Sequence, residues 1–191
     1  HHAQEGGHLV GGEVLHQPEV EERHAPIAVK QVVARMRVAV ERVQAVQAAE
    51  HEAEQRLAGQ IALVLQCAET VGILDTVFAM TVQWGFDRHS FGRPLVSYQA
   101  LKHRYADLKI WLEACRATTR TAVAKVGARA DDADLAVSIA KSYVAEHAPD
   151  MLQHCIQLHG GIGVTWEHDL HLYLRRVTLY RSMFGTPDEH N

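Results

Sequence analysis

Apolar residues recur at helical spacing along the last two thirds of the chain. Between residues 61 and 86 they fall three and four positions apart, which is the spacing of one buried stripe on an α-helix. This stripe consists of Leu63, Val64, Cys67, Val71, Leu74, Phe78, Val82 and Phe86. The pattern therefore predicts a first helix over residues 61–86.

Three further helices are predicted after this one. The second covers residues 97–127, with Ser97 as its N-cap. The third covers residues 133–158, where Pro149 should kink or split it because proline removes a helical hydrogen bond. The residues expected to face inward on the third helix are Leu135, Ile139, Tyr143, Leu152, Cys155 and Ile156. A fourth helix over residues 167–183 completes an all-α, up-down four-helix bundle.

The first sixty residues differ in composition from the rest. They contain no Phe, Tyr or Trp, and no Ser, Thr, Asn, Asp or Cys, so all twelve aromatic residues follow residue 60. We expect residues 1–26 to be disordered or loosely attached and residues 27–57 to form an amphipathic helix. The chain thus divides into an atypical segment, 1–60, and a helical bundle, 61–191. A shifted reading frame or misplaced start is one explanation of the first segment.

Charge and composition exclude several classes of protein. The net charge of -4 argues against a nucleic-acid-binding protein, which would carry a basic excess. The longest uncharged apolar run, residues 61–68, is far shorter than the roughly 20 residues that span a bilayer. No secretory signal is visible, and the three cysteines lie far apart, so we expect reduced thiols in a cytoplasmic protein.

Two connections between the helices carry candidate binding residues. Arg88 and Arg93 flank Ser90-Phe91-Gly92 in the first connection, and Gln157 lies one turn before a Gly-Gly-x-Gly turn. Arginine supplies planar, charge-assisted donors, and glycine lets the backbone approach a ligand. These residue types are suited to a diphosphate, although each motif alone is weak.

In this order, the residues resemble the C-terminal domain of acyl-CoA dehydrogenases. The matching residues are GFDRHSFGRPL at 85–95, YQALKH at 98–103, Ala106-Asp107, Ala140-Lys141, QLHGGIG at 157–163, Glu167, Arg175 and Gly185-Thr186. The resemblance covers about residues 61–188. It implies that the chain is a truncated half of the enzyme, without the family's N-terminal helical domain and middle β-domain, and ends where the family's last helix begins.

The resemblance implies FAD-dependent α,β-dehydrogenation of acyl-CoA thioesters in fatty acid or sterol catabolism. In the family, a carboxylate removes the α-proton while hydride leaves the β-carbon for N5 of FAD, and an electron-transfer flavoprotein reoxidises the flavin. The matching residues at the FAD diphosphate of a neighbouring subunit are Arg88, Ser90, Phe91, Gln157, Gly160 and Gly161. Gln99 matches a residue near the adenine, and Thr186 matches one near the flavin or its phosphates.

The resemblance fails at the catalytic base. The usual Glu precedes the Gly-Thr pair, and Phe184 occupies that position here. Some members place the Glu near the start of the first helix, close to Ala62, where the nearest carboxylates are Glu54 and Glu69. Glu69 is the weak candidate, and we otherwise expect no catalytic residue in this chain, which should be inactive alone.

Members that lack the Glu occur as one subunit of heteromeric acyl-CoA dehydrogenases, notably in actinobacterial sterol side-chain degradation. The run at residues 166–176 resembles that group. Such a subunit completes the FAD site of a partner that supplies the base. The alternatives are a flavin-free helical interaction module, a gene remnant and a catalytic homo-oligomer.

Histidine spacing leaves a metal site as a weaker alternative. His168 and His171 are one helical turn apart, with His154, His159 and Glu167 nearby in the sequence. Glu-x-x-His spacings, which pair metal ligands on one helix face, occur at Glu5 and His8, Glu13 and His16, and Glu21 and His24. We expect no metal, because glycines argue against a helix near the N-terminus and the resemblance accounts for the later histidines.

Overall fold

The computed structural model describes residues 27–190, apart from the side chains of residues 27–30, 32 and 33. Its helices are α1 (Ile27–Asp87), α2 (Gln99–Gly127), α3 (Ala133–His159), α4 (Leu170–Ser182) and the short α5 (Pro187–His190). The strands β1 (His89–Ser90) and β2 (Arg93–Pro94) pair antiparallel between α1 and α2. The prediction of an all-α bundle is confirmed, with a two-stranded hairpin where a plain connection was expected. The expected disorder of residues 1–26 lies outside the described residues.

The chain divides into two compact units, His1–Glu50 and His51–Asn191. In the first unit, the described side chains are all exposed, including the apolar Met36, Val40 and Val43. The predicted helix over residues 27–57 is present, but it is continuous with the helix predicted over residues 61–86. A single helix continues through Gly59, because one glycine with no proline nearby is too weak a signal to end it.

The second unit has a core of small and medium-sized apolar side chains from α1 to α4. Its fully buried members include Leu74, Val77, Leu108, Leu112, Met151, Leu152, Leu170 and Val177. Burying a side chain of this size contributes about 1.5–3 kcal/mol relative to leaving it in water. This core is what fixes the ends of the helices, where the candidate site residues lie.

Two residues predicted to face inward on α3 are exposed, so that part of the prediction is wrong. Leu135 is 64% exposed and Ile139 is 51% exposed. The buried face of the same half of α3 consists of Ala133, Val137, Ala140 and Val144. Both sets have helical spacing, and the smaller residues face the core because they let α3 approach its neighbours closely.

The predicted N-cap of α2 is wrong, and the predicted split of α3 at Pro149 does not occur. Ser97 does not cap α2: it lies in a 3-10 helix, Leu95–Ser97, and its hydroxyl donates to Pro94 O at 2.6 Å. Tyr98 occupies the N-cap position instead. Pro149 is buried inside α3, which continues unbroken from Ala133 to His159. The packing of α3 on its neighbours therefore outweighs the local cost of proline.

The apolar character of α1 also meets a simple criterion for a membrane span. Within Ala34–Asp87, an 18-residue window has a mean hydropathy of 1.6, and 39% of that window is buried. The core helix of a folded domain meets the same criterion. In α1, the buried residues Val64, Val71 and Leu74 belong to the core of the second unit, which accounts for most of the apolar stripe. Phe86, at the end of the predicted stripe, is 57% exposed, so that part of the prediction is wrong.

The end of α1 lies close against the start of α2. A Cβ at Gly85 would meet the hydroxyl oxygen of Tyr105 and, at 2.7 Å, Cγ1 of Val96. The Tyr105 hydroxyl donates to Thr81 O at 3.3 Å. This contact, which only glycine permits, fixes the hairpin that follows α1.

Candidate functional site

The hairpin between α1 and α2 presents an exposed aromatic side chain in a strained conformation. Phe91 and Gly92 form its two-residue turn with φ of 49° and 78°, the positive values that a type I′ turn requires. Gly92 adopts this conformation without cost, whereas a residue with a Cβ loses about 1–2 kcal/mol. Phe91 is 97% exposed, so no contact with residues 27–190 offsets that strain.

Tyr98 holds the hairpin in place. Its hydroxyl donates to Ser90 O at 2.6 Å, and the guanidinium of Arg93 lies 3.9 Å from the centre of its ring. The backbone N–H of Leu95 also donates to Arg88 O at 2.9 Å. Within residues 27–190, neither Arg88 nor Arg93 has a carboxylate partner, so both guanidinium groups are available to an anion.

A stacked pair of rings joins the hairpin to the glycine turn. The indole of Trp84 lies 5.5 Å from the imidazole of His159, with an interplanar angle of 20°. Arg88 is one turn after Trp84, and its guanidinium is 6.0 Å from the indole ring. Since His159 immediately precedes Gly160, the structure brings the hairpin and the glycine turn to the same end of the domain.

Two buried nitrogen atoms at this contact have no hydrogen-bond partner among the described residues. They are Nε1 of Trp84 and Nε2 of His159. Nδ1 of His159 lies 2.8 Å from Cys155 O, so this nitrogen carries the proton and donates it. Burial lowers the pKa of His159, and the nearby His168 lowers it further. His159 is therefore neutral at pH 7.

The glycine turn is open to a ligand. It is a 3-10 helix, Gly160–Val164, in which Gly160 has φ of 68°. No atom lies within 4 Å of the place where a Cβ of Gly160 or Gly161 would stand. Gln157 is exposed on the last turn of α3, immediately before these glycines. These three predicted residues thus share one accessible corner.

Gln99 lies beside the hairpin. It is the first residue of α2, it is exposed, and it directly follows Tyr98. Its Nε2 is 2.8 Å from Nε2 of His103, one turn later on the same helix. Gln99 can therefore reach a ligand that lies over the hairpin, at the cost of one exposed hydrogen bond.

These groups fit a diphosphate. Two guanidinium groups without carboxylate partners supply charge-assisted donors, and two glycines leave the backbone unobstructed. Beside them, the buried Nε1–H of Trp84 is a donor without a partner among the described residues, whereas Nε2 of the neutral His159 is an acceptor and adds nothing to the binding of an anion. The residues present are therefore suited to the diphosphate of a dinucleotide such as FAD.

Phe184 and Thr186 lie in a separate turn between α4 and α5. Phe184 has φ of 61° and is 54% exposed, and Gly185 has φ of 100°. The backbone N–H and hydroxyl of Thr186 both donate to Oε2 of Glu189, at 2.7 and 3.1 Å. The bond from the N–H is one half of a capping box at the start of α5, and both bonds lower the pKa of Glu189.

The structure does not bring Thr186 to the other predicted residues. Its turn contacts α1 through Gln66, whose Nε2 donates to Met183 O at 3.4 Å. Along α1, Gln66 lies about 27 Å from Trp84 at 1.5 Å per residue. The site residues predicted from the sequence therefore form two groups, one at the hairpin and glycine turn and one at Thr186.

Glu69, the weak candidate for a catalytic base, is part of a structural ion pair. Its carboxylate accepts from the Tyr180 hydroxyl at 2.5 Å and from Nε and Nη2 of Arg176, both at 3.0 Å. These bonds lower its pKa, with the Tyr180 bond as the largest cause. A lowered pKa weakens a base, so the environment of Glu69 suits a link between α1 and α4 rather than proton removal.

Trp84 and Lys141 both hold parts of the site in place. The sequence patterns do not single out Trp84, and they assign no role to Lys141 beyond its place in the Ala140-Lys141 match. Lys141 lies on the buried face of α3, next to Ala140 and Val144, and burial lowers its pKa. An isolated lysine on an otherwise apolar helix face is the signal that could reveal such a residue. For Trp84, the sequence offers no comparable signal, because its partner His159 is distant in the chain.

Residues 27–190 contain no cluster of three or more His, Cys, Asp or Glu side chains that could hold a metal ion. Nδ1 of His171 lies 2.8 Å from His168 O, and Nδ1 of His168 accepts from the N–H of Leu170 at 3.3 Å. The Glu-x-x-His pairs near the N-terminus lie outside the described residues.

Comparison with known proteins gives consistent matches. Residues 59–190 match the family described as "Acyl-CoA dehydrogenase, C-terminal domain". Acyl-CoA dehydrogenase IpdE2 of Mycobacterium tuberculosis is 41% identical over 129 residues, which are 67% of this chain and 38% of that protein. The chain spans about two fifths of the length of the curated relatives that it matches first.

Two solved structures have the same fold. PigA with FAD and proline aligns with a TM-score of 0.66 and 26% identity, over 69% of this chain and 34% of PigA. The ChsE4-ChsE5 complex from Mycobacterium tuberculosis aligns with a TM-score of 0.64 and 28% identity, over 69% of this chain and 36% of the matched chain.

Proposed function

The chain belongs to the acyl-CoA dehydrogenase family, and from this premise we propose that it is a non-catalytic subunit that completes the FAD site of a partner subunit. The reaction would be the FAD-dependent α,β-dehydrogenation of an acyl-CoA thioester. The partner would supply the catalytic base, and an electron-transfer flavoprotein would receive the electrons. The observation that carries this proposal is the stack of Trp84 on His159, which brings Arg88 and Gly160 to one end of the domain.

The residues at this end have distinct roles in the proposal. FAD, when bound, accepts the hydride that leaves the β-carbon of the thioester. Arg88 and Arg93 supply positive charge to the diphosphate, and Phe91 provides an apolar contact at the tip of the hairpin. Gly160 and Gly161 let the ligand approach the backbone. None of these residues removes or adds a proton, so this end of the domain binds and orients.

The separation of the site residues into two groups supports an FAD site that is shared between two subunits. The two groups adjoin α1 near Trp84 and near Gln66, and these two residues are about 27 Å apart along the helix, which is too far for both groups to contact one diphosphate. In the proposal, the hairpin group contacts the cofactor of a partner subunit and the Thr186 turn faces a different site. The ChsE4-ChsE5 complex, a relative in fold and sequence, is composed of two named proteins.

The position of the usual base supports a non-catalytic role. Phe184 has no group that can accept a proton, and the carboxylate of Glu69 is held by Tyr180 and Arg176. Loss of a positioned general base lowers a rate by about 10² to 10⁴. We therefore expect no enoyl-CoA formation by this chain alone, whereas measurable formation would support a catalytic homo-oligomer.

A cytoplasmic location is part of the same proposal. Cys67, Cys115 and Cys155 are all buried and unpaired. Unpaired cysteines are typical of a reducing compartment, where disulfides do not persist. Mass spectrometry of the protein from its native cells, after blocking of free thiols in denaturant, would detect three blocked cysteines if this placement is right.

FAD titration tests the proposed function directly. A candidate partner acyl-CoA dehydrogenase that carries the Glu is stripped of flavin and mixed with this chain, and FAD binding is followed by flavin fluorescence. Arg88→Ala should weaken FAD binding about 10- to 150-fold, since a charged hydrogen bond contributes about 1.5–3 kcal/mol. Arg120→Ala, an exposed arginine on α2, is the matched control and should leave the affinity unchanged.

The same titration distinguishes the second candidate function, a flavin-free interaction module. This alternative is favoured by the lack of a base at Phe184. A complex that forms but takes up no FAD would establish the module and overturn the proposed role. Equal FAD affinity for the Arg88→Ala and wild-type chains would also contradict it.

A further inference from the structure

Lys141 places a charged group in the interior of the second unit. It lies on α3 and is only 2% exposed. Its ammonium donates to Oε1 of Gln66 at 2.8 Å, to Tyr180 O at 2.5 Å and to Met183 O at 2.8 Å. All three N–H bonds of the ammonium are therefore used, and no carboxylate is among the three acceptors.

The acceptors explain how the ammonium is tolerated there. Tyr180 belongs to the last turn of α4, and Met183 is the C-cap of that helix. The carbonyl groups at a helix C-terminus have no partners within the helix, and they carry the negative end of its dipole. Lys141 supplies donors to two of them from a different helix, which replaces the water that the ammonium loses.

These bonds fix the start of the turn between α4 and α5. Immediately after Met183, Phe184 and Gly185 adopt positive φ values, so the chain reverses at a point of backbone strain. On the far side of the turn, Nε2 of His190 lies 2.9 Å from Phe184 O. The turn is thus held from α3 and α1 at Met183 and from α5 at Phe184.

We propose that Lys141 is a positioning residue, whose buried ammonium holds the turn of residues 183–186 through the carbonyl of Met183. This turn carries Phe184, at the usual position of the base, and Thr186. That the turn faces a flavin rests on the proposed function. The anchoring itself does not, because every contact that carries it lies within this chain.

Chymotrypsin cleavage measures the anchoring with an internal standard. Phe184 and Phe91 are both exposed phenylalanines with positive φ, but they lie in different turns. Global unfolding exposes both sites, whereas loosening of the turn exposes only Phe184. The ratio of cleavage after Phe184 to cleavage after Phe91, read by mass spectrometry, therefore reports the turn alone.

Lys141→Met keeps the length and apolar stem of the side chain and removes the ammonium. The cleavage ratio should rise about tenfold or more, because charged hydrogen bonds to the turn are lost. Lys102→Met, at an exposed lysine on α2, is the matched control and should leave the ratio unchanged. An unchanged ratio in a folded Lys141→Met protein would overturn the proposal.

Fluorine NMR adds a signature that a general loss of packing would not produce. The chain has four phenylalanines, Phe78, Phe86, Phe91 and Phe184, so fluorophenylalanine labelling gives four resonances. Lys141→Met should shift or broaden the Phe184 resonance and leave that of Phe91 in place. Equal changes at all four positions would indicate a purely structural role and contradict positioning.

A second variant keeps the test decisive if Lys141→Met does not fold. Gln66→Ala removes one acceptor of the ammonium and the amide that donates to Met183 O. It should raise the same cleavage ratio, by less than Lys141→Met because two carbonyl acceptors remain. A Gln66→Ala protein with the wild-type ratio would count against the proposal. All of these readouts omit FAD, so their failure is distinguishable from failure of the proposed function.

Discussion

The indole of Trp84 and the imidazole of His159 lie in nearly parallel planes, with their ring centres 5.5 Å apart. This contact joins the last turns of α1 and α3. Arg88, beside the hairpin, follows Trp84 by one turn, and Gly160, the first residue of the glycine turn, follows His159 directly. The relative position of the two binding motifs therefore depends on a packing contact rather than on the chain that connects them.

The burial of His159 should make the domain sensitive to acid. Its pKa is lowered in the folded state, so the unfolded chain binds a proton at this residue more readily. The free energy of unfolding should be at its full value above about pH 6.5 and fall below it, by at most about 1.4 kcal/mol per pH unit. His159→Phe keeps a ring against Trp84 and should reduce this fall, as measured by urea titrations at pH 7 and pH 5.

His103→Phe is the control for this measurement, because His103 is exposed on α2. It should retain the wild-type dependence on pH. If His159→Phe loses as much stability between pH 7 and pH 5 as the wild-type chain does, the acid sensitivity has another origin.

Two glycines of α1 should respond to alanine in opposite directions. At Gly85 a Cβ would meet Tyr105 and Val96, so Gly85→Ala should destabilise the domain by about 1–3 kcal/mol, as overpacking does. At Gly72 nothing lies within 4 Å, so Gly72→Ala should stabilise it by about 0.5–1 kcal/mol. Thermal unfolding of both variants checks the pair, and a neutral Gly85→Ala would show that the approach of α2 is looser than described.

The three cysteines should be unreactive until the domain unfolds. Burial raises the pKa of Cys67 and Cys155 to about 11 and that of Cys115 to about 12. At pH 8 about one thiol in a thousand or fewer is then ionised, and only the thiolate reacts. An aromatic disulfide reagent should label no cysteine in the native protein and all three in denaturant.

A control variant provides the exposed reference for thiol labelling. Thr121→Cys introduces a cysteine at an exposed position of α2 and should react at once with one equivalent of reagent. Rapid labelling of the unaltered chain without denaturant would mean that the core opens locally around at least one thiol.

Relief of strain at the hairpin tip should stabilise the domain at the expense of binding. Asparagine tolerates positive φ better than phenylalanine does, so Phe91→Asn should raise the free energy of unfolding by about 1 kcal/mol. Phe91→Ala, which removes the ring without relieving the backbone, should be close to neutral because Phe91 is exposed. Under the proposed function, both variants should weaken FAD binding to the partner. Equal stability of the two variants would mean that the turn is not strained.

The helices could be predicted from the sequence because an apolar stripe with three- and four-residue spacing is a local signal. The stripe of Val64, Cys67, Val71 and Leu74 is buried as the pattern indicates. The same rule fails for Leu135 and Ile139, since two faces of α3 have helical spacing and only the neighbouring helices decide between them.

The candidate site could be assembled from the sequence only as motifs. The order of the motifs led to the hairpin and glycine-turn residues, but no pattern could show that Trp84 and His159 join them. Thr186 lies apart from these residues because its turn packs against α1 at Gln66, far along the helix from Trp84. The sequence patterns do not show where that turn packs on α1. Lys141 belongs to the Ala140-Lys141 match, but its anchoring role could not be predicted because pattern rules assign charged residues to the surface.

The bonds between Thr186 and Glu189 set up a competition. The hydroxyl and N–H of Thr186 both donate to Glu189, so a ligand that takes the hydroxyl must displace a bond at the start of α5. The free energy of that bond is subtracted from the free energy of binding. Binding of a ligand at the Thr186 hydroxyl would therefore favour fraying of α5. Residues 187–190 should then become less ordered when the ligand binds.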